Sequence, residues 1–128
     1  MRLKTYIVED NLLIRETLIN TLAELAEIDV VGMSETEEAG RIWLTNANNT
    51  WDLAIVDLFL RTGSGMGVIS ACRARQVHQK VVVLSNYVTV DIRAHCKLLA
   101  ADDVFDKSTE IEALLQFCLA QSSGLVDT

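Results

Sequence analysis

The stretch Leu53-Ala54-Ile55-Val56-Asp57-Leu58 decides the fold. Its apolar run does not alternate with polar residues and ends in a carboxylate. Such a run suits a parallel strand covered on both faces, where neither side meets water. A lone carboxylate at the end of a buried strand is costly without a partner, so Asp57 calls for a cation or a chemical use.

Outward from this strand, four more apolar runs read the same way: Tyr6-Ile7-Val8, Val30-Val31, Val81-Val82-Val83-Leu84 and Val104-Phe105. The segments between and after them carry helical spacing. Ile14, Leu18, Thr21, Leu22 and Leu25 form one stripe, and Ala39, Ile42 and Trp43 start a second. Val68, Ile69 and Cys72 form a third, and Ile92, Cys96 and Leu99 a fourth. The last stripe is the clearest, with Ile111, Leu114, Leu115, Cys118 and Leu119 at i, i+3, i+4, i+7 and i+8. Thr109, three residues before Glu112, predicts a capping box at its start. A strand–helix unit repeated in this way predicts an α/β fold with a parallel sheet, right-handed crossovers and helices on both faces. The polar stretch Ser122-Ser123-Gly124 is expected to end the packed part. That gives one domain over residues 1–121 and a C-terminal tail or linker stub over 122–128.

Composition narrows the function classes. A chain of 128 residues is one domain's worth of core, and with 50% hydrophobic and 23% charged residues it is globular. No apolar run approaches the roughly 18 residues of a membrane span, and MRLKTYIVED lacks a signal-peptide layout. A cytoplasmic protein with no membrane partner is expected. The formal charge of −7 argues against direct nucleic-acid binding, because phosphate backbones attract basic surfaces. Cys72, Cys96 and Cys118 have neither metal-ligand nor redox spacing and read as small buried hydrophobes in a reducing compartment.

In an open α/β sheet the carboxyl ends of the strands converge on one rim, where ligands bind. This sequence places Glu9 and Asp10 after the first strand, Asp57 at the end of the third, Ser85 at the end of the fourth and Lys107 after the fifth. Three clustered carboxylates repel one another, so they take up protons or recruit positive charge. Lys107 supplies one positive charge and a divalent ion would supply the rest. An all-oxygen site with few protein ligands suits Mg²⁺, which keeps several waters and often shares its site with phosphate. A carboxylate nucleophile, a hard cation, an ammonium and a hydroxyl are together what phosphoryl transfer needs.

Val8-Glu9-Asp10-Asn11, Ile55-Val56-Asp57-Leu58, Leu84-Ser85-Asn86-Tyr87 and Asp106-Lys107-Ser108 resemble the signature segments of bacterial two-component response-regulator receiver domains, of the chemotaxis-receiver kind. The resemblance runs from Leu3 to about Leu119. It implies a flavodoxin-like, doubly wound (βα)5 sandwich with strand order 2-1-3-4-5. It implies that Asp57 accepts a phosphoryl group from a sensor histidine kinase or a phosphotransfer protein. Mg²⁺ would be held by Asp10, Asp57 and the carbonyl of Phe59, with Glu9 acting through water. Lys107 would contact the acyl phosphate, and Ser85 would be the switch hydroxyl. The result is a signalling domain rather than a turnover enzyme, with output as changed partner or homodimer contacts on the face of the fourth helix, fifth strand and fifth helix.

Two positions depart from the family pattern. Val104 stands where many receivers carry an aromatic switch residue, and Ser108 stands where proline commonly follows the lysine in a cis peptide. A cis Lys107–Ser108 bond would cost about 3–4 kcal/mol relative to trans.

Blander roles compete for single residues. Asp10 or Asn11 suits a cap on the first helix, Ser85 suits a turn, and Lys107 suits a solvated surface. Gly63, Gly65 and Gly67 do not fit a dinucleotide fingerprint and read as a flexible loop. His78 and His95 are isolated, and Trp43 and Trp51 read as packing at the core edge. Phe59 and Tyr87 occupy positions that, in the family, flank the acceptor and influence hydrolysis. A pseudo-receiver that binds without phosphorylation is the alternative, opposed by the intact acidic residues and Lys107. A flavin-binding relative would need a phosphate loop where Glu9-Asp10 would repel phosphate. An aspartyl phosphatase commonly needs a second aspartate where Phe59 stands.

Overall fold

The computed structural model describes residues 2–25 and 27–126, with side chains as far as Ser123. The elements follow the expected alternation: β1 (Leu3–Val8), α1 (Leu12–Ala23), β2 (Ile28–Ser34), α2 (Glu37–Thr45), β3 (Leu53–Val56), α3 (Gly65–Ala71), β4 (Lys80–Ser85), α4 (Val90–Leu98), β5 (Asp103–Asp106) and α5 (Ile111–Val126). The strands form one parallel sheet in the order β2-β1-β3-β4-β5.

β3 explains why its sequence does not alternate. Successive side chains point to opposite faces, and both faces are covered. Ala54 and Val56 join a core with Val68, Ile69 and Cys96 on the side of α2, α3 and α4. Leu53 and Ile55 join Leu18, Leu22, Leu114 and Cys118 on the side of α1 and α5. The same division places Val104 toward α4 and Phe105 toward α5. All three cysteines are free and buried, as small hydrophobes. Trp51 donates its indole N–H to the Leu44 carbonyl at 3.0 Å, and Trp43 stacks on Tyr6 at 4.2 Å.

Several local expectations are corrected. On α2 the inward stripe is Gly40, Trp43 and Leu44, at i, i+3 and i+4, while Ile42 faces water at 60% exposure. The glycine makes this face close-fitting, which hydrophobicity alone does not reveal. α5 begins at Ile111 with Glu110 directly before it, so Thr109 stands outside the cap position. The same helix runs on past Gln121 and buries Ser122, because that serine continues the Leu114–Cys118 stripe at i+4. His78 is not isolated, since its Nε2 lies 3.5 Å from Asp52 Oδ1.

The glycine-rich loop between β3 and α3 is tightly packed rather than flexible. A Cβ on Gly65 would overlap the carbonyl oxygen of Asp57, and one on Gly63 or Gly67 would overlap the Glu37 side chain. Gly63 also takes a φ of +86°, in the left-handed region. Glu37 Oε1 accepts from the Ser64 N–H at 2.8 Å, and the Glu37 N–H donates to the Thr62 carbonyl at 3.2 Å. α2 thus clamps the loop that leaves Asp57. Gly65→Ala is expected to cost about 1–3 kcal/mol in urea unfolding, from overpacking against the Asp57 backbone. An unchanged midpoint would contradict this packing.

Candidate functional site

The register of the sheet brings the strand ends together. Val8 is level with Val56, and Ser85 is level with Asp106. The Asp57 N–H donates to the Val8 carbonyl at 2.9 Å, which sets Asp57 beside Glu9. Asn11 caps α1 by accepting from the Ile14 N–H at 3.1 Å, leaving the Asp10 side chain to face the rim. Carboxylate oxygens of Glu9, Asp10 and Asp57 all lie within 4.8 Å of one another.

Lys107 reaches two of these carboxylates, with Nζ at 2.5 Å from Glu9 Oε1 and 3.2 Å from Asp57 Oδ2. Its side chain is only 9% exposed, so this is not a solvated surface lysine. The turn that carries it is set by Asp106, whose Oδ1 accepts from the Ser108 N–H at 2.8 Å and the Ser108 hydroxyl at 2.5 Å. The Lys107–Ser108 peptide is trans. The other Asp57 oxygen, Oδ1, accepts from the Phe59 N–H at 3.3 Å. Asp10 Oδ2 accepts from the Arg61 N–H at 2.6 Å, and the exposed Arg61 guanidinium stands 3.9 Å away. Ser85 is fully buried, its Oγ accepting from the Tyr87 N–H at 3.4 Å and its carbonyl from the Lys107 N–H at 3.0 Å.

All the residues singled out from the sequence, Glu9, Asp10, Asp57, Phe59, Ser85 and Lys107, line one cleft of about 200 Å³. Phe59 and Tyr87 meet edge to face at its mouth, with ring centroids 5.5 Å apart. Sequence reasoning missed Arg93 and Glu110, which stand behind the Lys107 turn as a 2.6 Å ion pair. Their only sequence signal was opposite charge, which is common on helical surfaces.

Burial, and after it repulsion from Glu9, raise the Asp57 carboxyl to about 6 against the opposing pull of Lys107. Three carboxylates against one ammonium leave the rim with excess negative charge, the condition a hard cation relieves.

The family model for the response regulator receiver domain matches residues 5–118, and the chain belongs to that family. The photosynthetic apparatus regulatory protein RegA of Rhodobacter capsulatus is 27% identical over 93 residues, covering 73% of this chain and 50% of that protein. The chain therefore spans about half the length of this curated relative. Among solved structures, the receiver domain of the Francisella response regulator 1452 has a TM-score of 0.83 at 15% identity, covering 97% of this chain and 99% of that one. The response regulator domain of Thermotoga maritima CheB has a TM-score of 0.82 at 13% identity, covering 96% and 98%. These two likenesses show the shared fold. No helix among the described residues is long and apolar enough to cross a membrane.

The raised Asp57 carboxyl has a definite sign in stability. Between 3.8 and about 6 the folded protein holds a proton that the unfolded chain has released, so stability falls as pH rises through this window. Without divalent cations, Asp57→Asn is expected to stabilise the protein at pH 7.5 by up to about 3 kcal/mol. The gain should vanish below about pH 3, where the aspartate is neutral in both states. Urea unfolding at the two pH values checks this, and an equal or opposite difference at pH 7.5 would contradict it.

Proposed function

We propose that this receiver domain accepts a phosphoryl group on Asp57 from a sensor histidine kinase or a phosphotransfer protein, with Mg²⁺ as cofactor. The observation that carries the reading is the convergence of Glu9, Asp10 and Asp57 within 4.8 Å, with Lys107 bridging two of them. The donor set fits Mg²⁺, being all oxygen and sparse enough to leave room for water. Asp10, Asp57 and the Phe59 carbonyl would hold it, with Glu9 acting through water. When bound, Mg²⁺ supplies positive charge to the transferring oxygens.

The chain's own groups account for the rest. An Asp57 carboxylate oxygen attacks phosphorus; the O–P bond forms as the P–N bond to the donor histidine breaks, and the electron pair returns to the imidazole nitrogen. Lys107 already sits 3.2 Å from Asp57 Oδ2, within reach of the oxygens that arrive there. Ser85 keeps its own proton for a phosphoryl oxygen, since its Oγ acts as acceptor toward the Tyr87 N–H. The product stays on the protein, as suits a signal rather than a turnover enzyme. An apolar groove of about 380 Å³ along α1, bordered by Leu13 and Ile111, opens beside Lys107. It offers the donor protein a surface next to the acceptor.

A small phosphodonor with Mg²⁺ is expected to add one phosphoryl group to the wild type and none to Asp57→Asn. Intact-mass spectrometry reads this directly, and the same adduct on the Asn variant would overturn the assignment.

A further inference from the structure

We propose that Arg93 is a positioning residue that ties α4, through Glu110, to the turn presenting Lys107 to Asp57. The proposal rests on the reading of Asp57 as the acceptor.

Arg93 lies in the first turn of α4, and its guanidinium forks. Nη1 donates to the Val104 carbonyl at 2.8 Å and Nη2 to Glu110 Oε1 at 2.6 Å. The same Glu110 oxygen accepts from the Asp106 N–H at 3.0 Å, and the Glu110 N–H donates to the Asp106 carbonyl at 2.8 Å. The residue before Lys107 is therefore gripped at both its backbone groups by Glu110. Asp106 in turn fixes Ser108, the residue after Lys107, through its carboxylate. On the other side, the Lys107 N–H donates to the Ser85 carbonyl at 3.0 Å. The lysine thus stands on a turn braced by β4 and by α4.

The pair is half-exposed, at 39% and 34%, so its electrostatic contribution to stability is small. Its significance is directional: a planar guanidinium holds two acceptors in a fixed relation, which a lysine ammonium does not do. The acceptors are the β5 carbonyl that faces α4 and the carboxylate that holds the lysine turn. The opposite end of α4 is anchored separately. Arg73 donates to the Leu98 carbonyl, and Arg75 donates to the Ala100 carbonyl at 2.6 Å. A displacement of the Lys107 turn accordingly enters α4 near its start and pivots the helix about a held C-terminal end. This route is polar and needs no aromatic ring on β5, where Val104 stands buried.

The test is an amide-shift map with Mg²⁺ and beryllofluoride, a phosphoryl mimic, on the wild type, Arg93→Ala, Arg93→Lys, Glu110→Gln and the Arg93→Ala/Glu110→Gln double variant. The wild type is expected to shift at Asp57 and Phe59 and along Val90–Leu98. Arg93→Ala should keep the first set and lose at least half of the α4 response. Glu110→Gln, which preserves shape and one acceptor oxygen, should lose part of it, and the double variant no more than Arg93→Ala. Arg93→Lys should recover only part, since one ammonium cannot hold both acceptors in the fork. Undiminished α4 shifts in Arg93→Ala, or losses that add in the double variant, would overturn the proposal. Absence of any shift at Asp57 in the wild type would instead overturn the acceptor reading and this inference with it.

Discussion

Three carboxylates face one ammonium at the carboxyl ends of the strands, and the rest of the structure is arranged around that imbalance. Glu9 and Lys107 are 98 positions apart, yet Nζ and Oε1 are 2.5 Å apart. Only the parallel sheet brings them together, because it sends every strand toward the same rim. Burial then makes the imbalance matter. In water three acids would ionise with little cost, whereas at the edge of the core Asp57 is held up to about 6 despite Lys107. A cation or a proton is needed to settle the rim, and under the proposed function an arriving phosphoryl group would meet charges already in place there.

The surroundings of the rim divide into a clamped side and an adjustable side. On the clamped side, Glu37 fills the space left by Gly63 and Gly67, and Gly65 packs directly on the Asp57 backbone. Arg75 reinforces the far end of the sheet, joining the Cys72, Gln79 and Ala100 carbonyls to the Asp102 carboxylate. On the adjustable side, a single hydrogen bond from the Lys107 N–H to the Ser85 carbonyl joins the turn after β5 to the end of β4, and Phe59 and Tyr87 touch only edge to face above the cleft. Edge-to-face ring contacts are worth about 1 kcal/mol, small enough for a new charge at Asp57 to rearrange them. Signal output is thus expected around α4, where restraint is directional but weak.

The fold was legible because β3 and β4 are apolar at successive positions, which a two-sided parallel strand requires, and because the α5 stripe is unambiguous. The cluster of candidate site residues was legible because polar side chains stood where strands end. What escaped was information carried by close approach and by long side chains. Ile42 reads as a core residue because it is hydrophobic, but Gly40 is what lets α2 approach the sheet. Three glycines suggested flexibility, and only the position of Glu37 and the Asp57 carbonyl shows that side chains are excluded there. Ser122 suggested an ending, while its spacing from Cys118 continued the buried face. Arg75 and Arg93 could not be distinguished from solvated arginines, since Ala100 and Asp102 for the one, and Val104 and Glu110 for the other, come within reach only in the folded chain.

The central claim is that Lys107 partly compensates a carboxylate cluster built to hold a divalent cation. Calorimetric titration of Mg²⁺ into the wild type and Lys107→Met tests it most directly. Without the ammonium that occupies Glu9 and Asp57, the rim loses one positive charge and with it the internal competitor of a bound cation. Lys107→Met is therefore predicted to bind Mg²⁺ several-fold more tightly. Binding that is unchanged or weaker in the variant would contradict the account.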